Sequence, residues 1–165
     1  MKILMCTDGS FYSENALAYA ARLICAFEGH ELVVLYVMPK IKEEFRFYEK
    51  KFDEEVRKLK EVELKKAETI DDLNNLQSVD LSFKVLEKAY KLLMKFDLEP
   101  HTKARTGNPA DEILAEAENG KYDLIIMGKY GFSESKNTGL LFKTTKIGKV
   151  ASTVITKSDI PVLVL

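Results

Sequence analysis

The sequence predicts an α/β protein built on a single open five-stranded parallel sheet, order 3-2-1-4-5, with helices on both faces and a long charged helical insert after strand two. Three observations carry that expectation. Short apolar runs of strand length recur along the chain, and the segments between them are long enough for the crossover helices that parallel strands need. The length, 165 residues, suits one domain able to bury a core without disulfides or metals. The expected organisation is a single domain over 1–165 with a helical insert at 40–77 inside it.

Strand one is Ile3–Cys6, followed by Thr7-Asp8-Gly9-Ser10. Helix one is expected from about Ser13 to Glu28, with Ala16, Leu17, Ala20, Leu23, Ile24 and Phe27 on one face and Gly29 as its stop. Strand two is Leu32–Val37. The insert, Lys40–Gln77, is highly charged, yet Ile41, Phe45, Tyr48, Phe52, Val56, Leu59 and Val62 stand three or four apart and form one helical stripe. An unbroken helix over Ile41–Thr69 would measure roughly 40 Å at about 1.5 Å per residue. It is therefore expected to protrude, bend or pack on a partner, with Asp71-Asp72 and Asn74-Asn75 breaking it. A further helix over about Val79–Phe96 buries Leu81, Val85, Ala89, Leu92 and Leu93. Leu98–Arg105 is polar and is assigned as an edge strand by position alone. Helix three is punctuated by Asn108 as cap, Pro109 at its first position, Asp111 and Glu112 in its first turn, and Gly120 at its end. Strand four is Leu124–Met127. The last helix covers about Thr145–Lys157 with Val150, Val154 and Ile155 inward, and Pro161 opens the final strand, Val162–Leu165.

Composition narrows the function. With 25 Lys+Arg against 26 Asp+Glu the formal net charge is −1, which gives no global electrostatic case for nucleic acid or an anionic membrane. The apolar run before Thr7 is too short for a signal-peptide core, and no stretch approaches the length of a membrane span, so a cytoplasmic protein is expected. Cys6 and Cys25 lack metal-ligand or redox spacing and read as reduced structural thiols. The two histidines, His30 and His101, both fall at strand starts, so no Ser/His or Cys/His pair is expected, nor any metal cluster.

A ligand site is placed by topology. In an open parallel sheet, ligands bind beyond the carboxyl ends of the strands where the strand order reverses. In the order 3-2-1-4-5 that point lies between strands one and four, which sets Asp8 opposite Gly128 and Gly131. Glycines there let the backbone approach a phosphate closely or take positive φ. Gly148-Lys149 is expected near the start of the last helix, where unpaired amides and the dipole favour an anion. From Gly128 to Lys149 there are five lysines, Lys129, Lys136, Lys143, Lys146 and Lys149, against Glu134 alone, an anion site by sign.

These residues resemble the universal stress protein family. KILMCTDGSFYSENALAYAARL is similar to its first strand, Asp-bearing loop and first helix, and TGNPADEILAEAENGKYDLIIMG to its third helix and fourth strand. The resemblance covers Lys2–Val37 and Gly107–Leu165 and leaves the insert foreign. It implies a Rossmann-like fold. Nucleotide-binding members carry Gly-x2-Gly-x9-Gly followed by Ser or Thr; here Gly128-x2-Gly131 fits, but sixteen residues separate Gly131 from Gly148, and Lys149 replaces the hydroxyl residue. By resemblance, Cys6, Asp8 and Val37 border adenine and ribose, while Met127, Gly128, Gly131, Gly148, Lys149 and Val150 follow the ribose and phosphates. The function implied is an ATP- or adenine-nucleotide-binding regulatory protein, with Mg²⁺ arriving only with the nucleotide and with little or no hydrolysis. The competing reading is a dimeric interaction module of the same fold that no longer binds nucleotide; a true enzyme ranks third. A homodimer is expected through Pro161–Leu165, aided by the 40–77 insert, since a wholly apolar edge strand needs covering.

Overall fold

In a computed structural model of the chain, which describes residues 1–26, 28–38, 70–131 and 147–165, five strands lie parallel. They are β1 (Lys2–Thr7), β2 (Glu31–Met38), β3 (His101–Thr106), β4 (Leu124–Met127) and β5 (Val162–Val164). Their order is β3-β2-β1-β4-β5, as expected, so the reversal falls between β1 and β4, where Cys6 pairs with Met127. The chain divides into two compact units, Met1–Pro39 with Ser82–Leu165, and Lys40–Leu81. The sheet belongs entirely to the first. Among the described residues no helix is long and apolar enough to cross a membrane.

Four helices are described: α1 (Phe11–Ile24), α2 (Ile70–Met94), α3 (Pro109–Asn119) and α4 (Lys149–Lys157). Side chains leave alternate faces of a strand, so each central strand supplies two cores. On one face Ile3, Met5, Val34 and Tyr36 meet Leu17, Ala20, Ala21 and Ile24 of α1 and Leu86, Ala89 and Leu93 of α2. On the other, Leu4, Cys6, Leu35, Val37, Ile125 and Met127 meet Ala110, Ile113 and Ala117 of α3 and Ala151 and Val154 of α4. Burial on both faces is why β1, β2 and β4 read as unbroken apolar runs.

The structure moves several boundaries. Helix α1 starts two residues before the expected Ser13 because the Ser10 side chain accepts from the Ser13 amide at 3.3 Å and caps it. Its buried stripe takes Ala21 in place of Leu23, which is exposed, and Phe27 lies outside the described residues. Asp71, Asp72, Asn74 and Asn75, expected to break the chain's helical run, lie within α2 instead. On α2 Leu81 is exposed, and Ser82 and Leu86 are buried beside Ala89 and Leu93, the spacing of one helical face. Helix α4 begins at Lys149, and the expected start at Thr145 lies outside the described residues; Ala151 and Val154 point inward while Ile155 is exposed. The apolar stripe Ile41–Val62 and the lysines at 136, 143 and 146 fall outside the described residues.

Candidate functional site

All helix starts described after a strand lie at the carboxyl end of the sheet, and two of them flank the reversal point. The first is built on hydroxyls. The Thr7 and Ser13 hydroxyls share a hydrogen bond at 3.1 Å, the Gly9 amide donates to Thr7 Oγ1 at 3.2 Å, and the Ser10 amide donates to Asp8 Oδ1 at 3.0 Å. The last of these holds Asp8 Oδ1 toward the start of α1. The other, Oδ2, faces Gly131: a Cβ on Gly131 would stand 2.9 Å from it. The two loops thus meet at a carboxylate and a glycine, and a larger residue at 131 would have to displace that carboxylate.

Gly128 also has a packing role that the sequence did not suggest. Neither Gly128 nor Gly131 takes positive φ, and a Cβ on Gly128 would meet the backbone of α1 at Ser13 Cα (3.2 Å), Ser13 N and Tyr12 C. Its role in the structure is to let the first turn of α1 pack on the end of β4. Ring contacts reinforce that junction: Tyr12 and Tyr130 pack edge-to-face at 5.4 Å, and Lys129 Nζ lies 5.3 Å from the centre of the Tyr130 ring.

The third glycine sits at the N-cap of α4 with no side-chain cap. The Gly148 amide is used already, donating to the Lys129 carbonyl at 2.9 Å, while the Lys129 amide donates to the Leu165 carbonyl at 2.7 Å. The first turn-closing bond of α4 runs from the Ser152 amide to the Gly148 carbonyl. The amides of Lys149, Val150 and Ala151 precede it and have no partner within the helix, the usual condition for an anion at a helix start. Lys149 itself is exposed.

Beneath these polar groups lies one apolar cluster containing Cys6, Val37 and Met127, with Val150 packed on it. Burial pushes the Cys6 thiol up to about 12, so it acts here as a small apolar surface rather than a nucleophile. The structure therefore brings all nine residues singled out from the sequence to one end of the sheet: four as an apolar floor, Asp8 and Gly131 across the crevice, Gly128 as a packing point, and Gly148-Lys149 at the α4 start. His101 opens β3 and His30 precedes β2, both at the opposite end, as expected.

Sequence reasoning missed the Thr7–Ser10–Ser13 hydroxyls, although Ser10-x-x-Ser13 is a readable capping signal. It also missed Tyr36, buried in the core shared with α1 and α2, whose phenol is raised first by burial and then by the charge of Asp8.

An open parallel sheet with a carboxylate set against a glycine loop at its reversal point and a helix start at the same end defines a doubly wound α/β protein. Comparison with known proteins makes this specific. The chain belongs to the universal stress protein family, whose model matches residues 1–165. A curated relative, the universal stress protein MJ0531 of Methanocaldococcus jannaschii, is 39% identical over 80 residues, which are 48% of this chain and 43% of that protein, so the match spans less than half of the relative's length. Among solved structures, the protein MJ0577 superposes with a TM-score of 0.67 at 27% identity, covering 99% of this chain and 94% of its own. A universal stress protein in complex with cAMP gives 0.63 at 18% identity, over 100% and 96% of the two chains. Structures of the same fold hold dAMP in an Archaeoglobus fulgidus protein (18% identity, TM-score 0.58) and AMP in an Arabidopsis thaliana protein (12%, 0.60).

Proposed function

We propose that this chain is a regulatory protein that binds an adenine nucleotide, ATP foremost, in the crevice between the Asp8 loop and the start of α4. The observation that carries this reading is the closeness of Gly131 to Asp8 Oδ2 at the end of the sheet where α4 starts, with the amides of Lys149–Ala151 in the first turn of that helix. Relatives solved with cAMP, dAMP and AMP support the adenine class. In this reading Cys6, Val37 and Met127 form the surface for the base, Asp8 accepts from a ribose hydroxyl, and the phosphates run from Gly131 to the α4 start. Lys149 supplies a positive charge where a hydroxyl would otherwise donate, and Mg²⁺ enters with the phosphates. Turnover is slow in this reading, because both histidines stand at the far end of the sheet; the nucleotide is a ligand or switch rather than a substrate.

The test is mass spectrometry of small molecules released from purified protein, with calorimetry against ATP, ADP and AMP. Absence of affinity at millimolar nucleotide leaves the second reading, an interaction module. Lys149→Ala should weaken ATP more than AMP, by about tenfold against little change, because a charge–phosphate contact is worth on the order of one to two kcal/mol. Equal losses for both ligands would put Lys149 elsewhere.

We further propose a homodimer through β5. It lies at one edge of the sheet, and Val162–Leu165 are all only partly buried. Antiparallel pairing with a second copy would satisfy both edges by two-fold symmetry. Val164→Lys should convert the dimer to monomer in sedimentation; an unchanged dimer would move the interface off β5.

A further inference from the structure

We propose that Val85 of α2 is a positioning residue for the nucleotide loop: its side chain is the wall against which Gly9, and through it Asp8, is set. The inference rests on the nucleotide reading above. Gly9 has φ +75°, a conformation that L side chains rarely adopt, and a Cβ built on it would lie 2.9 Å from Val85 Cγ2 and 3.4 Å from Cγ1. Val85 of α2 therefore fills the space that a side chain at position 9 would need, beside the one residue of the loop that has none.

The wall is stiff. A valine in a helix keeps essentially one χ1 rotamer, and Val85 is packed on the core cluster that contains Leu86, Ala89 and Leu93 of the same helix. The loop on the other side is equally constrained. The Gly9 amide is held by Thr7 Oγ1, the Ser10 amide by Asp8 Oδ1, and the Ser10 side chain caps α1. Asp8 then meets Gly131 across the crevice. Val85 thus lines the space beside Gly9, the Thr7, Asp8 and Ser10 hydrogen bonds tie Gly9 to its neighbours, and Gly131 lies close to Asp8 Oδ2, so a shift of α2 toward Gly9 is expected to reach the Asp8 carboxylate.

The consequence is regulatory. Helix α2 runs from Ile70 to Met94 and so includes the chain's return from the Lys40–Leu81 unit. An event that shifts α2 changes the geometry of Asp8, and by linkage a ligand that fixes Asp8 restrains α2 by the same free energy. Nothing on Val85 touches the crevice in this account; it acts through Gly9.

The full chain tests this with three variants: Val85→Ala, which removes the wall; Val85→Thr, which keeps its β-branched shape; and Leu92→Ala, two turns along the same helix and packed on the same core. In ligand-free protein, Val85→Ala should speed amide hydrogen exchange at Gly9 and Ser10, and in calorimetry it should weaken ATP by about two- to thirtyfold, the range seen for coupled residues without ligand contact. Val85→Thr should restore both readouts. Leu92→Ala should lower the melting temperature while leaving Gly9–Ser10 exchange and ATP affinity near wild type. If Val85→Ala leaves exchange at Gly9 and Ser10 unchanged, or if Leu92→Ala moves both readouts equally, Val85 is only a packing residue. If the wild-type chain binds no ATP, the functional reading fails while the ligand-free exchange comparison still decides the role of Val85.

Discussion

Asp8→Ala is expected to weaken ATP binding by about 100-fold, more than any other single change in the crevice. A hydrogen bond to an ionised group contributes about 1.5–3 kcal/mol net, or about 10- to 150-fold in affinity, and alanine removes two such bonds, one to the ligand and one to the Ser10 amide. Asp8→Asn separates them. Asparagine keeps an acceptor for Ser10 and still offers a polar group to the ribose, so its loss should be nearer tenfold. Gly131→Val should resemble Asp8→Ala, because the added carbon would stand 2.9 Å from Asp8 Oδ2, which Ser10 prevents from turning freely away. Gly128→Val is different in kind: its Cβ meets α1 backbone, so it should lower the melting temperature of the ligand-free protein. Calorimetry with ATP beside ligand-free melting distinguishes these outcomes. Binding by Asp8→Ala within about twofold of wild type would place the ribose anchor on another residue.

How much of this was legible depended on whether the signal was local. Parallel strands followed from alternation, while their order, which alternation alone leaves open, came with the family resemblance, and Asn108-Pro109 marked α3 because a cap and an N1 proline act within one turn. The convergence of Cys6, Asp8, Val37, Met127 and the glycines was legible as well, since register in a parallel sheet brings the ends of β1 and β4 together. The reason for Gly128 was not, because it depends on how close α1 approaches, a tertiary quantity with no trace in spacing. The exposure of Leu23 and Ile155 was lost likewise: a helical stripe wide enough to include them is compatible with the sequence, and only packing selects Ala21 and Ala151 instead. β3 is the clearest case. His101-Thr102-Lys103-Ala104-Arg105-Thr106 has neither apolar alternation nor a run, yet it is a full strand paired with β2 from Val33 to Met38. Its stabilising partner is a glutamate on a helix that follows in sequence, and no pattern within the strand announces it.

That glutamate carries the largest expected effect on stability: Glu116→Ala should cost about 3 kcal/mol, or about 6–12 °C in melting temperature. Glu116 is 2% exposed and accepts from Lys103 Nζ at 2.7 Å, from Arg105 Nε at 2.8 Å and from the Tyr122 hydroxyl at 3.0 Å. Arg105 also pairs with Glu112. The two cations are partly exposed, so without Glu116 they turn to water at little cost, and their ion pairs alone would not justify the estimate. The decisive terms are the buried Tyr122 hydroxyl left without its acceptor and the cavity between α3 and β3. Tyr122→Phe should therefore cost only about 1 kcal/mol, since it removes both the donor and its need. Burial on its own would raise the Glu116 carboxyl, but the hydrogen bonds from Lys103, Arg105 and Tyr122 outweigh it and hold the group below the usual carboxylate range. A depressed folded value means that the stabilisation is fully present above the unfolded value, about 4.3, and is lost as pH falls through the folded one. Urea unfolding of wild type and Glu116→Gln should thus differ most near neutral pH and converge on acidification below about pH 4. A gap that stays constant down to pH 2, about two units below the unfolded value, would mean that the charge of Glu116 contributes nothing and that only its shape fills the space between α3 and β3.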